Sequence, residues 1–239
     1  MLYSIIIATK NAEKYLERCL SSLFRQTWPD YEVILQDGLS TDDTLKIAGK
    51  YSGCLQCVSE ADTGVYDAWN KALDRASGEW GIFLGADDFL VDGNVLANCR
   101  LHLKKLPPGI TFAYGNVLHG ENGKLSGVWA RSLSFMYHYF LTNMGLPFPA
   151  TFTRLEALKK ARFDTSYQIA GDYDLAARLL TKDNAAYLPV HVTWMEKGGL
   201  SSRPEQRHAI LEERRRVVRT RVVPKAGMLA EASLEYLGY

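Results

Sequence analysis

Two adjacent acids, Asp87 and Asp88, follow the apolar run Ile82-Phe83-Leu84 and the small pair Gly85-Ala86. Like charges side by side repel, so a carboxylate pair at the end of a buried run needs a reason. Either the acids hold a cation, since hard divalent ions favour carboxylate and water ligands, or they open a turn, where Asp is common. Two more polar groups stand at comparable places, Thr9-Lys10-Asn11 after "SIIIA" and Asp37-Gly38 after "YEVILQ". A further acidic group, "GDYDL", places Asp172 and Asp174 at the head of a helical pattern. Two residues along a helix is about 200° of rotation, so the two cannot face one proton. Both also suit a first turn, one as a cap and the other against the helix dipole. Cys54 and Cys57 form a C-x-x-C. No second pair follows at zinc-site spacing, so all four cysteines read as reduced and structural, with this pair half-buried around a short strand.

The elements that must position these groups are legible from periodicity. Residues 2–8 read as a buried strand, and the segment Ala12–Thr27 repeats apolar residues at helical spacing, with Asn11 as its N-cap. "YEVILQDG" is a second strand, followed by "STDDTLKIAGKY", a helix capped by Ser40 or Thr41. "LQCVS", "VYDAWNKALDRA" and "EWGIFLG" continue as strand, helix and strand. This β-α alternation demands a mostly parallel sheet with helices on its faces. Ligands bind such sheets beyond the carboxyl ends of the strands, where all three strand-end polar groups fall. After Pro107-Pro108-Gly109 the pattern changes. "TFAYGNVLHG" and "GKLSGVWA" read as a hairpin, "SLSFMYHYFL" as a helix, and "ATFTR" as a strand entering a helix at Leu155. "GDYDLAARLLTKD" reads as a helix with Leu175, Leu179 and Leu180 inward, and "AAYLPVHVTWME" as a strand region.

The 239 residues are 47% hydrophobic and 23% charged, which suits one large globular domain with an appendage. A net charge of +1 gives no global signal for nucleic acid. No apolar run approaches the ~20 residues that span a bilayer, and the start lacks the pattern of a signal peptide. The expected place of action is the cytoplasm. "EERRRVVRTR" reads as a solvated helix with Glu/Arg pairs. Its alternative is contact with anionic lipid, for which Val217, Val218, Val222 and Val223 provide a modest apolar side.

"SIIIATKNAEKYLERCLSSLFRQTW", "YEVILQDGLSTDDT", "SEADTGVYDAWNKAL", "GEWGIFLGADD" and "IAGDYDLAARL" occur in the order seen in family 2 glycosyltransferases. The chain resembles that family over roughly residues 1–202. The resemblance implies an α/β GT-A (Rossmann-like) fold: a mostly parallel sheet flanked by helices, a C-terminal acceptor-side region and a helical tail. It implies a nucleotide-sugar-binding half at 1–106, an acceptor-side half at 107–202 and an extension at 203–239. It also implies a nucleotide-sugar donor, a divalent cation (Mn²⁺ or Mg²⁺) and inversion at the anomeric carbon.

Carried onto this sequence, the resemblance makes Asp88 the main metal ligand and assigns Asp87 to the metal or the ribose. Gly85 stands where the longer acidic pattern has its first acid. Asp37 corresponds to the residue that accepts the N3–H of uracil, which favours a UDP-sugar. Thr9 and Asn11 frame the same pocket, and Glu60 and Asp62 shape it beside base and ribose. Asp67 and Lys71 read as an i,i+4 helix pair. Asp172 matches the second acid of the family's E-D pair and is the candidate base, one carboxylate sufficing to deprotonate the acceptor hydroxyl. Gly171 replaces the Glu. "EKGGLSS" reads as a loop closing over the diphosphate or as a plain turn. The expected acceptor is a glycan or lipid-linked hydroxyl and the transferred group a hexose or N-acetylhexosamine, while the last segment, "MLAEASLEYLGY", reads as packing either on the body or on a partner subunit of a homo-oligomer. Two other readings stay open, a sugar nucleotidyltransferase and a catalytically silent binding module.

Overall fold

The computed structural model of the chain describes residues 1–121, 124–129, 146–181, 183–196 and 206–222. Four strands alternating with three helices come first: β1 (Tyr3–Thr9), α1 (Glu13–Phe24), β2 (Tyr31–Asp37), α2 (Thr44–Gly49), β3 (Leu55–Ser59), α3 (Val65–Arg75) and β4 (Trp80–Gly85). The short β5 (Phe89–Leu90) and α4 (Val95–Leu103) follow, then the hairpin β6 (Phe112–Glu121) and β7 (Lys124–Trp129). A 3₁₀ turn at Phe148–Ala150 leads to β8 (Thr151–Arg154) and α5 (Leu155–Ala161). The last described elements are α6 (Gly171–Leu179), β9 (Ala185–Glu196), α7 (Arg207–Val217) and a π-helical turn, Val218–Val222. The helix expected over "SLSFMYHYFL" and the "EKGGLSS" loop beyond Glu196 lie outside the described residues.

The nine strands among the described residues join one sheet in the order β3-β2-β1-β4-β8-β6-β9-β5, with β7 on β6. The β3-β2-β1-β4 part is parallel throughout. β8 then enters antiparallel between β4 and β6. The parallel register places Thr9 beside Asp37, Asp37 beside Ser59, and Ala8 beside Gly85. The polar strand ends therefore lie along one edge of the sheet, as the alternation requires.

Strand periodicity divides the core between the two faces. Ile5, Ile7, Val33, Leu35, Ile82 and Leu84 pack with α1, α2 and α4 on one face. Ile6, Ile34 and Phe83 pack with α3, α5, α6 and the C-terminal turn on the other. Helix α1 buries Leu16, Cys19, Leu20 and Leu23, an i, i+3, i+4, i+7 stripe. On the second face Phe83 meets Trp69, Phe148 and Phe163 at ring-centroid distances of 4.8, 5.6 and 4.9 Å. This cluster joins α3 to the second half of the chain.

Three local expectations are corrected. Asn11 does not cap α1: the residue before that helix is Ala12, and Asn11 has φ 53°. Its side-chain oxygen accepts the Thr41 N–H instead, 2.9 Å away. Helix α2 begins at Thr44 rather than at Ser40 or Thr41, and Asp42 accepts the Thr44 N–H at 3.0 Å. Ser40 and Thr41 are drawn into contacts with the end of β1, and long-range hydrogen bonds outcompete the local caps. Cys54 and Cys57 are exposed rather than half-buried, while Cys19 and Cys99 are buried.

Phe83→Ala should lower stability by about 3–5 kcal/mol, because it empties the centre of the aromatic cluster. Leu101→Ala, at a position 56% exposed, should change it by less than about 0.5 kcal/mol. Urea unfolding of the two variants checks this, and equal losses would contradict the two-faced core.

Candidate active site

Asp37 is fully buried at the end of β2. Its Oδ1 accepts from Thr9 Oγ1 at 2.9 Å and from the Ser40 hydroxyl. Its Oδ2 accepts from Ser40 N at 2.9 Å and Ser59 Oγ at 2.7 Å. Burial alone would raise its pKa, but the donors from Ser40, Ser59 and Thr9 hold it below the ordinary carboxylate value. A carboxylate has about four lone-pair sites, so this one has none left over for a base N–H. Direct acceptance from a base therefore requires that one of these donors first turn away. Asn11 joins the same network, since its N–H donates to Ser40 Oγ at 2.8 Å.

The loop after β3 closes on this corner. The Glu60 N–H donates to Asp37 O at 3.0 Å, and Glu60 Oε1 accepts from Gln36 Nε2 at 3.1 Å. Asp62 lies against Gly38 so closely that its carboxylate occupies the place of a Cβ there. Asp62 Oδ1 also accepts the Gly64 N–H at 3.0 Å, fixing the turn into α3 at Gly64, whose φ is 138°. Thr9, Asn11, Asp37, Glu60 and Asp62 thus meet at the ends of β1–β3. Lys71 pairs with Asp67 at 3.2 Å and donates to Ala61 O, which makes it a support of α3.

Asp87 and Asp88 stand one strand away. A Cβ on Gly85 would sit 2.6 Å from Asp87 Oδ1 and 3.0 Å from Asp88 Oδ2. The two carboxylates therefore converge over the glycine that replaces the pattern's first acid, and that glycine makes room for both. Asp88 is 6% exposed. Burial and the neighbouring Asp87 charge push its pKa well above the usual range, with partial relief from backbone N–H groups and Arg18. Arg18 donates to Asp87 O at 3.1 Å and pairs with Glu196 at 3.0 Å. Its guanidinium also lies 4.5 Å over the Phe89 ring.

These residues fit a divalent cation. Two converging carboxylates, one of them buried beside the other's charge, are the hard ligands that Mg²⁺ or Mn²⁺ takes. Among the described residues no group of three or more His, Cys, Asp or Glu side chains forms a metal cage. The donor set suits an ion that completes its shell with water and phosphate.

Asp172 stands in the first turn of α6. Burial pushes its pKa up to about 6 against the Tyr173 N–H, the Arg214 charge and the Tyr66 hydroxyl, which lower it. Its Oδ1 accepts the Tyr173 N–H at 2.8 Å. A Cβ on Gly171 would meet the Tyr66 ring at 2.7 Å, so the aromatic ring fills the place of the family's Glu. Asp174 faces elsewhere, wholly buried between Arg178 and Arg221.

Sequence reasoning missed Ser40, Ser59, Arg18, Glu196 and Tyr66. Ser40 carries a signal, since a Ser three residues after an Asp is a common turn partner. The other four are joined to the site only through the tertiary structure.

The profile of glycosyl transferase family 2 matches residues 4–155. A PGL/p-HBAD biosynthesis glycosyltransferase of Mycobacterium bovis is 33% identical over 210 residues, covering 84% of this chain and 79% of that protein. The Staphylococcus aureus TarS 1-349 structure in complex with UDP-GlcNAc is similar with a TM-score of 0.69 at 22% identity. The match covers 82% of this chain, which spans 59% of that one. A Pyrobaculum calidifontis mannosyltransferase, solved with GDP-Man and Mn²⁺, has a TM-score of 0.62 at 19% identity, covering 99% of this chain and 79% of its own. The order of motifs, the parallel sheet with its acidic strand ends, and these matches agree: the chain belongs to glycosyltransferase family 2 and has the GT-A fold.

Proposed function

We propose that this glycosyltransferase moves a hexose or N-acetylhexosamine from a UDP-sugar to a hydroxyl of a glycan or lipid-linked acceptor, with inversion and with Mn²⁺ or Mg²⁺. The observation that carries the reading is the convergence of Asp87 and Asp88 over Gly85, beside the closed polar corner at Asp37. TarS in complex with UDP-GlcNAc supports a uridine donor, and the mannosyltransferase with GDP-Man and Mn²⁺ supports the metal.

Asp88 and Asp87 hold the cation, which neutralises charge developing on the diphosphate leaving group. Thr9, Asn11, Asp37, Glu60 and Asp62 enclose the nucleoside. Asp37 reads the base only after Ser40 or Ser59 rotates its hydroxyl away, a cheap motion for a single rotor. Asp172 takes the proton of the acceptor hydroxyl as it attacks the anomeric carbon. A base with a pKa of about 6 is ionised at neutral pH and retains more proton affinity than an ordinary carboxylate. The glycines at 85 and 171 leave the silent-module reading little support, since the space of each missing acid is used by a site residue.

Asp88→Asn should weaken Mn²⁺-dependent UDP binding, measured by calorimetry with and without the metal. An unchanged Mn²⁺ dependence would remove Asp88 from the metal site.

Asp172→Asn should lower turnover by roughly 10²-fold or more and leave UDP binding intact. In the wild type, turnover should fall as pH drops through about 6, because the carboxylate must be ionised to accept a proton. Near-normal turnover of the Asn variant would exclude this residue as the base.

Asp37→Ala should lower UDP affinity by roughly 10- to 150-fold. It should also destabilise the nucleotide-free protein by on the order of 2–4 kcal/mol, since buried donors lose their acceptor. Thermal unfolding without nucleotide checks the second effect, and an unchanged midpoint would show that the corner does not depend on this carboxylate.

A further inference from the structure

The C-terminal helix α7 looks in sequence like a solvated charged rod, yet its charges are sorted by direction. Glu212 and Arg215 form an exposed i,i+3 pair. Glu213 turns inward. Its Oε1 accepts the Gln168 N–H at 2.7 Å, and its Oε2 accepts those of Ile169 at 2.9 Å and Ala170 at 2.8 Å. These are three consecutive backbone donors directly before α6. That helix has no side-chain cap of its own. A carboxylate from a distant helix thus satisfies donors that would otherwise be orphaned and places negative charge at the positive end of α6.

The next turns reach the same segment. Arg216 donates to Ser166 Oγ at 2.9 Å and lies 4.2 Å over the Tyr167 ring. Arg221 Nε pairs with Asp174 Oδ1 at 2.9 Å, while Arg178 holds Oδ2 at 2.8 Å. Val217, Val218 and Val222 are buried in the core cluster that includes Tyr167, Ala170 and Tyr173. The apolar side considered for lipid contact, at these three residues, therefore packs on the body. From the opposite side the Tyr66 hydroxyl donates to Ile169 O. Glu213, Arg216 and, in the turn after α7, Arg221 all reach the span 164–174, and Asp172 lies inside it.

We propose that α7 and the turn after it are a positioning element of the catalytic machinery, in which Glu213 and Arg221 hold the 164–174 segment so that Asp172 stays aimed at the acceptor hydroxyl. This rests on the reading of Asp172 as the base. A misplacement of about 1 Å at a catalytic group can cost 10²-fold in rate, so a side chain that never touches substrate still governs turnover. Glu213 suits the task because one carboxylate fixes three successive peptide units, and Arg221 because it pins the buried acid two residues beyond Asp172.

The test uses the full chain with Mn²⁺ and follows UDP release from UDP-glucose and UDP-N-acetylglucosamine, with water as acceptor. Glu213→Gln and Arg221→Gln should each lower turnover about tenfold or more, with KM for the donor and calorimetric UDP affinity within about twofold of wild type. Glu213→Asp should recover part of the loss. In the Asp172→Asn background, adding Glu213→Gln should change turnover little, because both act through one group. Hydrogen exchange at the amides of residues 168–170 should quicken in Glu213→Gln, with protection of β1–β4 unchanged. Turnover within twofold of wild type in both Gln variants would overturn the proposal, and so would an undiminished further loss in the Asp172→Asn background. If the wild type binds no UDP with Mn²⁺ and releases none, the donor reading fails by itself. The exchange measurement then still decides whether Glu213 holds the segment, and unchanged exchange would overturn that role.

Discussion

A carboxylate removed from water must be surrounded by donors, and Asp37 meets that demand by drawing three strand ends and a loop together. Thr9 comes from β1, Ser59 from β3 and Ser40 from the turn after β2. Each of these residues is thereby fixed relative to the others, and the parallel register sets their heights. Asn11 and Asp62 then have definite places, one through Ser40 and the other against Gly38. The corner at the ends of β1–β3 holds together because its central charge is satisfied from within the fold.

Three carboxylates in this chain occupy three environments, and their chemistry follows from that. Asp37 has a full set of donors and is held acidic. Asp88 is buried beside a like charge with little compensation, which is the condition a divalent cation relieves. Asp172 lies between these extremes, raised by burial and restrained by a backbone donor and Arg214. Contrasting surroundings give acids of one residue class different proton affinities, which is the basis for the separate binding, metal and proton-transfer roles proposed for them.

The second half of the chain contributes through contact with α3 and the sheet. Tyr66 packs on Gly171 and bonds to Ile169 O, so the helix that begins beside Asp62 also shapes the surroundings of Asp172. The aromatic cluster around Phe83 ties this connection to the core. Arg18 and Glu196 join α1 to the end of β9 beside Asp87 and Asp88, so both halves of the chain border that pair.

The alternation of strands and helices through β4, the hairpin of β6 and β7, the strand at Thr151–Arg154 and the acidic strand ends were all legible in the amino-acid pattern. These rest on local periodicity and on Gly and Pro breaks, which act over a few residues. The packed fold was needed to show that β8 runs antiparallel between β4 and β6, that Asp37 is saturated with donors, and that Gly85 and Gly171 leave room for two carboxylates and an aromatic ring. It also decided that Asn11 accepts from Thr41 instead of capping α1, and that Glu213 reaches backbone donors some 45 residues away in sequence. The long-range polar contacts among these share one physical reason. A polar side chain takes the partner that the packed fold brings within hydrogen-bonding distance, and neither residue type nor local spacing specifies a partner that distant in sequence.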